Sequence, residues 1–292
     1  MCAVAVLLLA AAIVSASVVR SRKAAGGTVA STGPVARATG TQPARSRSAA
    51  SPQPVPILVY HHVTPTRGAD RLLYVSPSEF AAQLACLKRH GYQAVTLQTV
   101  YDAWTGEGSL PAHPVVITFD DGYVDQVRTA APLLRRYGWP AEMDVVFDTL
   151  YKDTPAPSNC FTLAMVRALI DQGWEVESHT VSHPDLTGLN AAQLRYELAY
   201  SRKRLSQILG VSIDFVCYPG GSYNRRVERA ARAAGYLGAT STDYAAATPA
   251  HLYALPRIYC YWGESLRVFG SRLRQTLSAA RAGHGVSITA ID

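Results

Sequence analysis

The chain has 292 residues, 48% of them hydrophobic and 17% charged, with a mean hydropathy of +0.03. That is enough for one large domain or two small ones, and it excludes a collagen, a polytopic membrane protein and a chain disordered throughout. The net charge of +7 points first to nucleic acid, yet six basic residues and no acidic one precede residue 53. Taking those six from the 28 basic residues leaves 22 against all 21 acidic ones. The globular part is nearly neutral and its charge supplies no phosphate-binding argument, so no nucleic-acid partner is expected.

From Ala3 to Val19 the sequence is apolar or small. The run is short for a spanning helix, which needs ~20 apolar residues, but it suits a signal-peptide core or a single anchor. Residues 1–20 are therefore read as a signal peptide or membrane anchor, with Ser15 and Ser17 as a small-x-small pair. No basic residue precedes the run, and Arg20, Arg22 and Lys23 follow it. Residues 21–52 are mainly Ala, Gly, Ser, Thr, Pro and Arg and read as a disordered basic linker. Residues 53–292 form the expected catalytic domain. It is read as a monomer outside the cytoplasm (secreted, periplasmic or anchored), touching a membrane only through the N-terminal segment. Beyond Cys2, the cysteines Cys86, Cys160, Cys217 and Cys260 permit two disulfides with three pairings, or act as four small buried hydrophobes. No CxxC pair exists, which excludes a thiolate zinc knuckle.

Short apolar runs then alternate with amphipathic stretches. PILVYHHV (56–63) predicts a buried strand. Ser76, Pro77 and Glu79 form a capping box with proline at the first helical position, opening a helix that buries Phe80, Leu84 and Leu87 and ends at Gly91. VVITF (115–119) predicts a second strand, followed by a helix through Val127, Ala130, Ala131, Leu133 and Leu134. MDVVF (143–147) predicts a third strand and 162–172 another helix, after which WEVES enters a His-rich turn. Asn190 caps a long helix through Leu209, with Leu194, Leu198 and Leu205 on its apolar face. IDFVCYP (213–219), YLGAT (236–240) and 255–261 read as strands, with a helix over 225–234. Strands alternating with helices predict a parallel β/α sheet or barrel.

Five clusters carry candidate chemistry. Thr118-Phe119-Asp120-Asp121-Gly122 ends an apolar strand, where parallel β/α folds collect functional side chains. Adjacent carboxylates raise each other's pKa, and a metal on one relieves that cost while leaving the other free as a base; the alternative is an ordinary Asp-Gly turn. His179 and His183 stand at i, i+4, which on a helical turn brings two imidazoles close enough to share a metal; alone, the pattern also fits a solvated surface. One carboxylate plus two imidazoles with open positions is a catalytic rather than a structural metal arrangement. Tyr60-His61-His62 ends the first strand, so at most one of the two histidines faces the barrel mouth. Cys217 through Asn224 runs a strand into a Gly-Gly loop. Arg257, in Leu255-Pro256-Arg257-Ile258, is either a snorkelling edge residue or the cation that orients a nearby carboxylate.

In this order TFDDG, SHTxSHPDL, YPGGxYN and LPRI resemble the polysaccharide deacetylase family, the NodB-homology domain of carbohydrate esterase family 4, over most of 54–262. YHHV and LPRI resemble the subgroup that includes the poly-β-1,6-N-acetylglucosamine deacetylases. The resemblance implies an α/β fold, a distorted (β/α)7 barrel, with a divalent metal, most often Zn2+. It implies hydrolysis of acetyl groups on N-acetylglucosamine polymers or O-acetylated sugars, with an acetylated polysaccharide as partner. Carried over by residue, Asp121, His179 and His183 would hold the metal, Asp120 would be the general base, and Tyr218, Pro219, Gly220 and Tyr223 would meet substrate. The family's third motif often has Arg where this chain has Cys217; Arg257 would supply that cation. The late Leu-x-His motif, source of the general acid, is missing, and the subgroup points to His61 in its place. Backbone N–H groups around Tyr218 would stabilise the oxyanion, and Tyr223, Tyr261 or Trp262 would stack on sugar. Two other readings are a metal amidohydrolase acting on a small molecule and a glycan-binding protein with a dead site.

Overall fold

A computed structural model describes residues 52–150 and 159–283. The expected leader (1–20) and all but the last residue of the expected linker (21–52) lie outside the described residues. The strands are β1 (Ile57–Tyr60), β2 (His62–Val63), β3 (Tyr74–Val75), β4 (Gln93–Ala94), β5 (Pro114–Asp120), β6 (Glu142–Val145), β7 (Glu175–Ser178), β8 (Phe215–Cys217), β9 (Gly238–Thr240) and β10 (Ile258–Tyr259). The helices are α1 (Pro77–Arg89), α2 (Leu97–Thr105), α3 (Ala131–Arg135), α4 (Leu163–Ile170), α5 (Ala191–Arg195), α6 (Ser201–Leu209), α7 (Arg225–Ala233) and α8 (Leu266–Arg281).

Seven strands run parallel in the order β10-β1-β5-β6-β7-β8-β9, with β4 on the N-terminal end of β5. A parallel bridge from Thr240 to Leu255 ties β9 to the segment that leads into β10, so the two ends of the sheet approach each other. This is the parallel β/α barrel that the alternation of elements predicts, in the distorted (β/α)7 form that the family resemblance implies.

The period-2 alternation of a strand divides each one between two environments. Val115, Ile117 and Phe119 of β5, Met143 and Val145 of β6 and Val176 of β7 join the large core beneath the helices. Val116, Thr118 and Asp120, with Glu142, Asp144 and Glu177, point the other way, into the barrel. Ile57, Val116 and Phe215 meet Leu97 and Val100 of α2 in a second apolar cluster. The barrel interior is thus apolar at that level and polar toward the strands' carboxyl ends.

Several local expectations change. PILVYHHV is not one strand: β1 stops at Tyr60, and His62–Val63 pairs separately with Tyr74–Val75. The long helix after Asn190 is split by a π-helical turn at Tyr196–Tyr200, and the helix after Gly122 opens with another at Gln126–Ala130. The strand expected over 255–261 is regular only at Ile258–Tyr259: Leu255 makes an isolated bridge to Thr240, Pro256 has no N–H to give, and the Arg257 N–H goes to the Asp243 carbonyl. Cys86, Cys160, Cys217 and Cys260 are free thiols and all but Cys160 are buried, so of the two readings left open they follow that of small buried hydrophobes rather than disulfides. No helix among the described residues is long and apolar enough to cross a membrane.

The capping box at α1 forms as read: the Ser76 hydroxyl accepts from Glu79 N–H and the Glu79 carboxylate accepts from Ser76 N–H. Glu79 also accepts from Gly263 N–H at 2.8 Å, tying α1 to the approach of α8. Ser76→Ala is expected to lower unfolding free energy by about 1 kcal/mol in urea titrations.

Candidate active site

Three loops at the carboxyl ends of β1, β5 and β7 bring the predicted residues together. Asp121 Oδ1 stands 3.6 Å from His179 Nε2 and 3.6 Å from His183 Nε2. His179 Nδ1 lies 2.8 Å from the Cys217 carbonyl, which assigns the ring hydrogen to Nδ1 and turns the Nε2 lone pair toward Asp121. Burial lowers the His179 pKa to about 4, against the opposing pull of Asp120 and Asp121, so the lone pair is available at neutral pH. A carboxylate and two imidazoles converging in this way, with one ring fixed by a carbonyl behind it, fit a divalent cation of the zinc type.

The backbone there is unusual. Among the described residues only three that are not glycine have positive φ: Asp121 at 69°, Thr180 at 68° and His183 at 59°. Two are candidate ligands and the third lies between the histidines. Such conformations cost of order 1–3 kcal/mol each and persist where the surroundings over-determine them. They also correct an expectation: His179 to His183 is an open loop, not a helical turn, and the rings meet because the backbone reverses rather than because of helical spacing.

Asp120 belongs to a different arrangement. Arg257 grips both its oxygens, Nη1 to Oδ1 at 2.7 Å and Nη2 to Oδ2 at 2.9 Å. Nη1 also donates to Thr118 Oγ1 (3.0 Å) and Asp144 Oδ2 (3.3 Å), and Nε to the Ser241 carbonyl (3.0 Å). Burial alone would raise the Asp120 pKa, but Arg257, His61 and His179 more than offset it and hold the carboxyl below its ordinary range. His61 Nε2 stands 3.7 Å from Asp120 Oδ2, and its ring lies parallel to that of Tyr259. Burial lowers the His61 pKa, with Asp120 and Asp121 pulling the other way. His62 turns away: its Nδ1 is 2.7 Å from Asp125 Oδ2, and its ring lies between Tyr74 and Tyr123.

A second donor group, Asp120, His179 and Cys217, is equally close-packed. It does not fit a cation. Arg257 already occupies both Asp120 oxygens, and burial pushes the Cys217 thiol up, so it stays protonated and points at Asp120 Oδ2.

The loop after β8 departs from expectation. The Tyr218 side chain is fully buried, with its hydroxyl donating to the Tyr253 carbonyl, and its N–H is committed to the Thr240 carbonyl at 3.1 Å. It therefore offers neither a substrate face nor an oxyanion donor. Pro219 is buried as well. Gly220 is exposed, and the half-buried Tyr223 stacks on Tyr218 and donates to Asp243. The observed cleft, of about 380 Å³, is lined instead by Asp121, Tyr123, Val146, Asp148, Ser182 and His183, with Thr149 and Cys160. Tyr261, expected to stack on sugar, lies between the guanidinium groups of Arg71 and Arg272.

Four supporting residues escape the sequence reading. Asp144 pairs in register with Asp120 and Glu177 with Asp144, so three carboxyls form a row across adjacent strands. Burial and the neighbouring carboxylates raise both Asp144 and Glu177, which keeps that row from carrying three charges. The signal was present in Glu-x-Asp (142, 144) and Glu-x-Glu (175, 177), acids on one face of otherwise apolar strands. Gln126 and Glu197 each sit in a π-helical turn. Gln126 Nε2 donates to the carbonyls of His61 (2.9 Å) and Asp120 (2.7 Å). Glu197 accepts from the N–H groups of Val181 (2.8 Å) and Ser182 (3.0 Å) and from the Ser182 hydroxyl (2.8 Å), bracing the loop between the histidines.

Two outcomes follow for stability. Glu197→Ala strands the Val181 and Ser182 donors and should cost ~1–3 kcal/mol, with faster amide exchange confined to 180–183 and partial recovery in Glu197→Gln. Arg257→Leu leaves Asp120 buried without its cation and should cost ~3–5 kcal/mol by urea titration.

The sequence profile of the polysaccharide deacetylase family matches residues 107–239. YxkH of Bacillus subtilis (strain 168), a protein assigned to the polysaccharide deacetylases, is 31% identical over 221 residues, covering 75% of this chain and 76% of that one. A poly-beta-1,6-N-acetyl-D-glucosamine N-deacetylase of Staphylococcus aureus (strain MRSA252) is 25% identical over 223 residues, covering 69% of this chain and 77% of its own. Among solved structures, the Streptococcus pyogenes deacetylase PplD, in complex with acetate, superimposes with a TM-score of 0.69 at 28% identity, covering 78% of this chain and 99% of that chain. The barrel, the order of its motifs and these relatives agree: the chain belongs to the polysaccharide deacetylase family, whose members are hydrolases.

Proposed function

We propose that this chain is a metal-dependent deacetylase that removes acetyl groups from an N-acetylglucosamine-containing polysaccharide outside the cytoplasm. The observation that carries the proposal is the convergence of Asp121, His179 and His183, the first and last of which line the cleft, with the Arg257-held Asp120 next in the chain to Asp121. In this reading residues 53–292 are the catalytic domain, residues 21–52 tether it, and residues 1–20 direct it to or through a membrane. The S. aureus relative's name supports the polymer, and the family supports the reaction class.

Asp121, His179 and His183 would hold the metal. When bound, a divalent cation such as Zn2+ would polarise an acetyl carbonyl and lower the pKa of water toward neutrality. The chain's own groups manage the protons. Asp120, held as a carboxylate by Arg257, accepts a proton from the attacking water. His61 rests neutral because it is buried, so it must gain a proton within the cycle before it can act as an acid. Asp120 Oδ2 stands 3.7 Å from its Nε2 and gives that proton an onward path. The charged imidazole then donates to the departing nitrogen as the carbon–nitrogen bond breaks, yielding acetate and a free amine.

The test is acetate release from N-acetylglucosamine oligomers, with and without a chelator, and with metal content read by plasma emission. His183→Ala should lower bound metal; full zinc occupancy in that variant would overturn the ligand set. Asp120→Asn should keep its metal and lose turnover. His61→Ala should keep its metal, lose ~10²- to 10⁴-fold on oligomers and recover in part on an activated aryl acetate, whose leaving group needs no proton. Oligomer turnover at the wild-type rate in His61→Ala would remove His61 from the mechanism.

A further inference from the structure

The π-helical turn that aims Glu197 at the ligand loop also does something on its outer side. Tyr196 and Tyr200 stack there, with ring centroids 5.0 Å apart and 20° between planes, and are 52% and 39% exposed. With Leu266 they are the large apolar side chains most exposed among the described residues. Tyr200 also meets Phe147 edge-on at 5.9 Å, so Tyr196, the more exposed of the pair, carries the freer aromatic surface.

This pair is continuous with the cleft. Phe147 stands between Val146 and Asp148, both cleft residues. The N–H groups of Phe147 and Asp148 donate to the carbonyls of Thr180 (3.1 Å) and Val181 (2.9 Å), inside the ligand loop. Glu197, next to Tyr196 in the chain, holds Ser182, another cleft residue. Aromatic pair, cleft wall and ligand loop are therefore joined by hydrogen bonds and ring contacts on one side of the site.

A cleft of about 380 Å³ lies at the small end of the ~300–1,000 Å³ range of ligand pockets. A polymer must leave it across a rim, and a pyranose presents an apolar C–H face with polar edges, which suits a rigid phenol ring. Two rings are too small for a protein interface, which needs ~1,600 Å² in total. We propose that Tyr196 and Tyr200 form a sugar-stacking platform that binds the acetylated polysaccharide a few units away from the acetyl group being removed. This rests on the deacetylase reading above and deepens it.

The experiment compares wild type, Tyr196→Ala, Tyr196→Phe and the Tyr196→Ala/Tyr200→Ala pair on β-1,6- and β-1,4-linked N-acetylglucosamine oligomers from dimer to hexamer. The readout is the ratio of hexamer to dimer kcat/KM, alongside calorimetric titration of the hexamer. Loss of a stacking anchor should lower that ratio about tenfold, through KM rather than kcat, while Tyr196→Phe keeps it. If Tyr200→Ala loosens the Phe147 wall, Tyr196→Ala alone decides, since it removes the outer ring and leaves the Tyr200–Phe147 contact. A wild-type length ratio in folded Tyr196→Ala overturns the platform. A wild type that releases no acetate from any oligomer overturns the deacetylase reading instead. The titration then judges the platform by itself: about tenfold weaker hexamer binding in Tyr196→Ala supports it, and equal binding, or none in either protein, overturns it.

Discussion

One guanidinium makes the interior of this barrel possible. Arg257 is buried among Asp120, Asp144 and Thr118 and satisfies groups on two strands at once. Without it, Asp120 would face the full cost of an isolated buried charge and would take up a proton instead. With it, Asp120 stays ionised, while burial and repulsion push Asp144 and Glu177 in the opposite direction. The same register therefore holds one charged and two neutral carboxyls. The difference comes from which of them the planar fork of arginine can reach with both arms.

The side of the site that carries the candidate ligands is organised by backbone rather than by charge. Left-handed conformations at Asp121, Thr180 and His183 are unfavourable for these residues, so the surroundings must impose them. Glu197 does this for the second loop by taking up its N–H groups. Gln126 does a similar service between β1 and β5, fixing the backbone at His61 and Asp120 relative to each other. Both are delivered by π-helical turns, which widen the helix by one residue and displace a side chain from the regular α pattern; such turns occur often at functional sites. The second also sets two tyrosines face to face on its solvent side.

Four motifs at strand ends were enough to name the family and, with YHHV, to nominate Asp120, Asp121, His179, His183, His61 and Arg257, all of which the fold brings together. The nomination of Tyr218 and Pro219 was less informative, because a Gly-Gly loop after a strand says where the chain turns but not which side chains it exposes. Here Tyr218 is drawn into the core by its bond to the Tyr253 carbonyl. Gln126 and Glu197 could not be read at all, since the helical periodicity that would orient them is broken at those turns.

What the sequence by itself determined was local: the capping box of α1, the short apolar runs that became strands, and the alternation that made the sheet parallel. Each depends on contacts a few residues apart, so the residues themselves specify it. Tertiary structure decided what local pattern left open: which of His61 and His62 faces Asp120, that the two candidate-ligand histidines meet through a reversed loop, and which strands set Asp144 beside Asp120. Those outcomes depend on strand register and on long-range partners such as Asp125 for His62 and Cys217 for His179. Pairing between segments tens of residues apart leaves no periodic trace in either one.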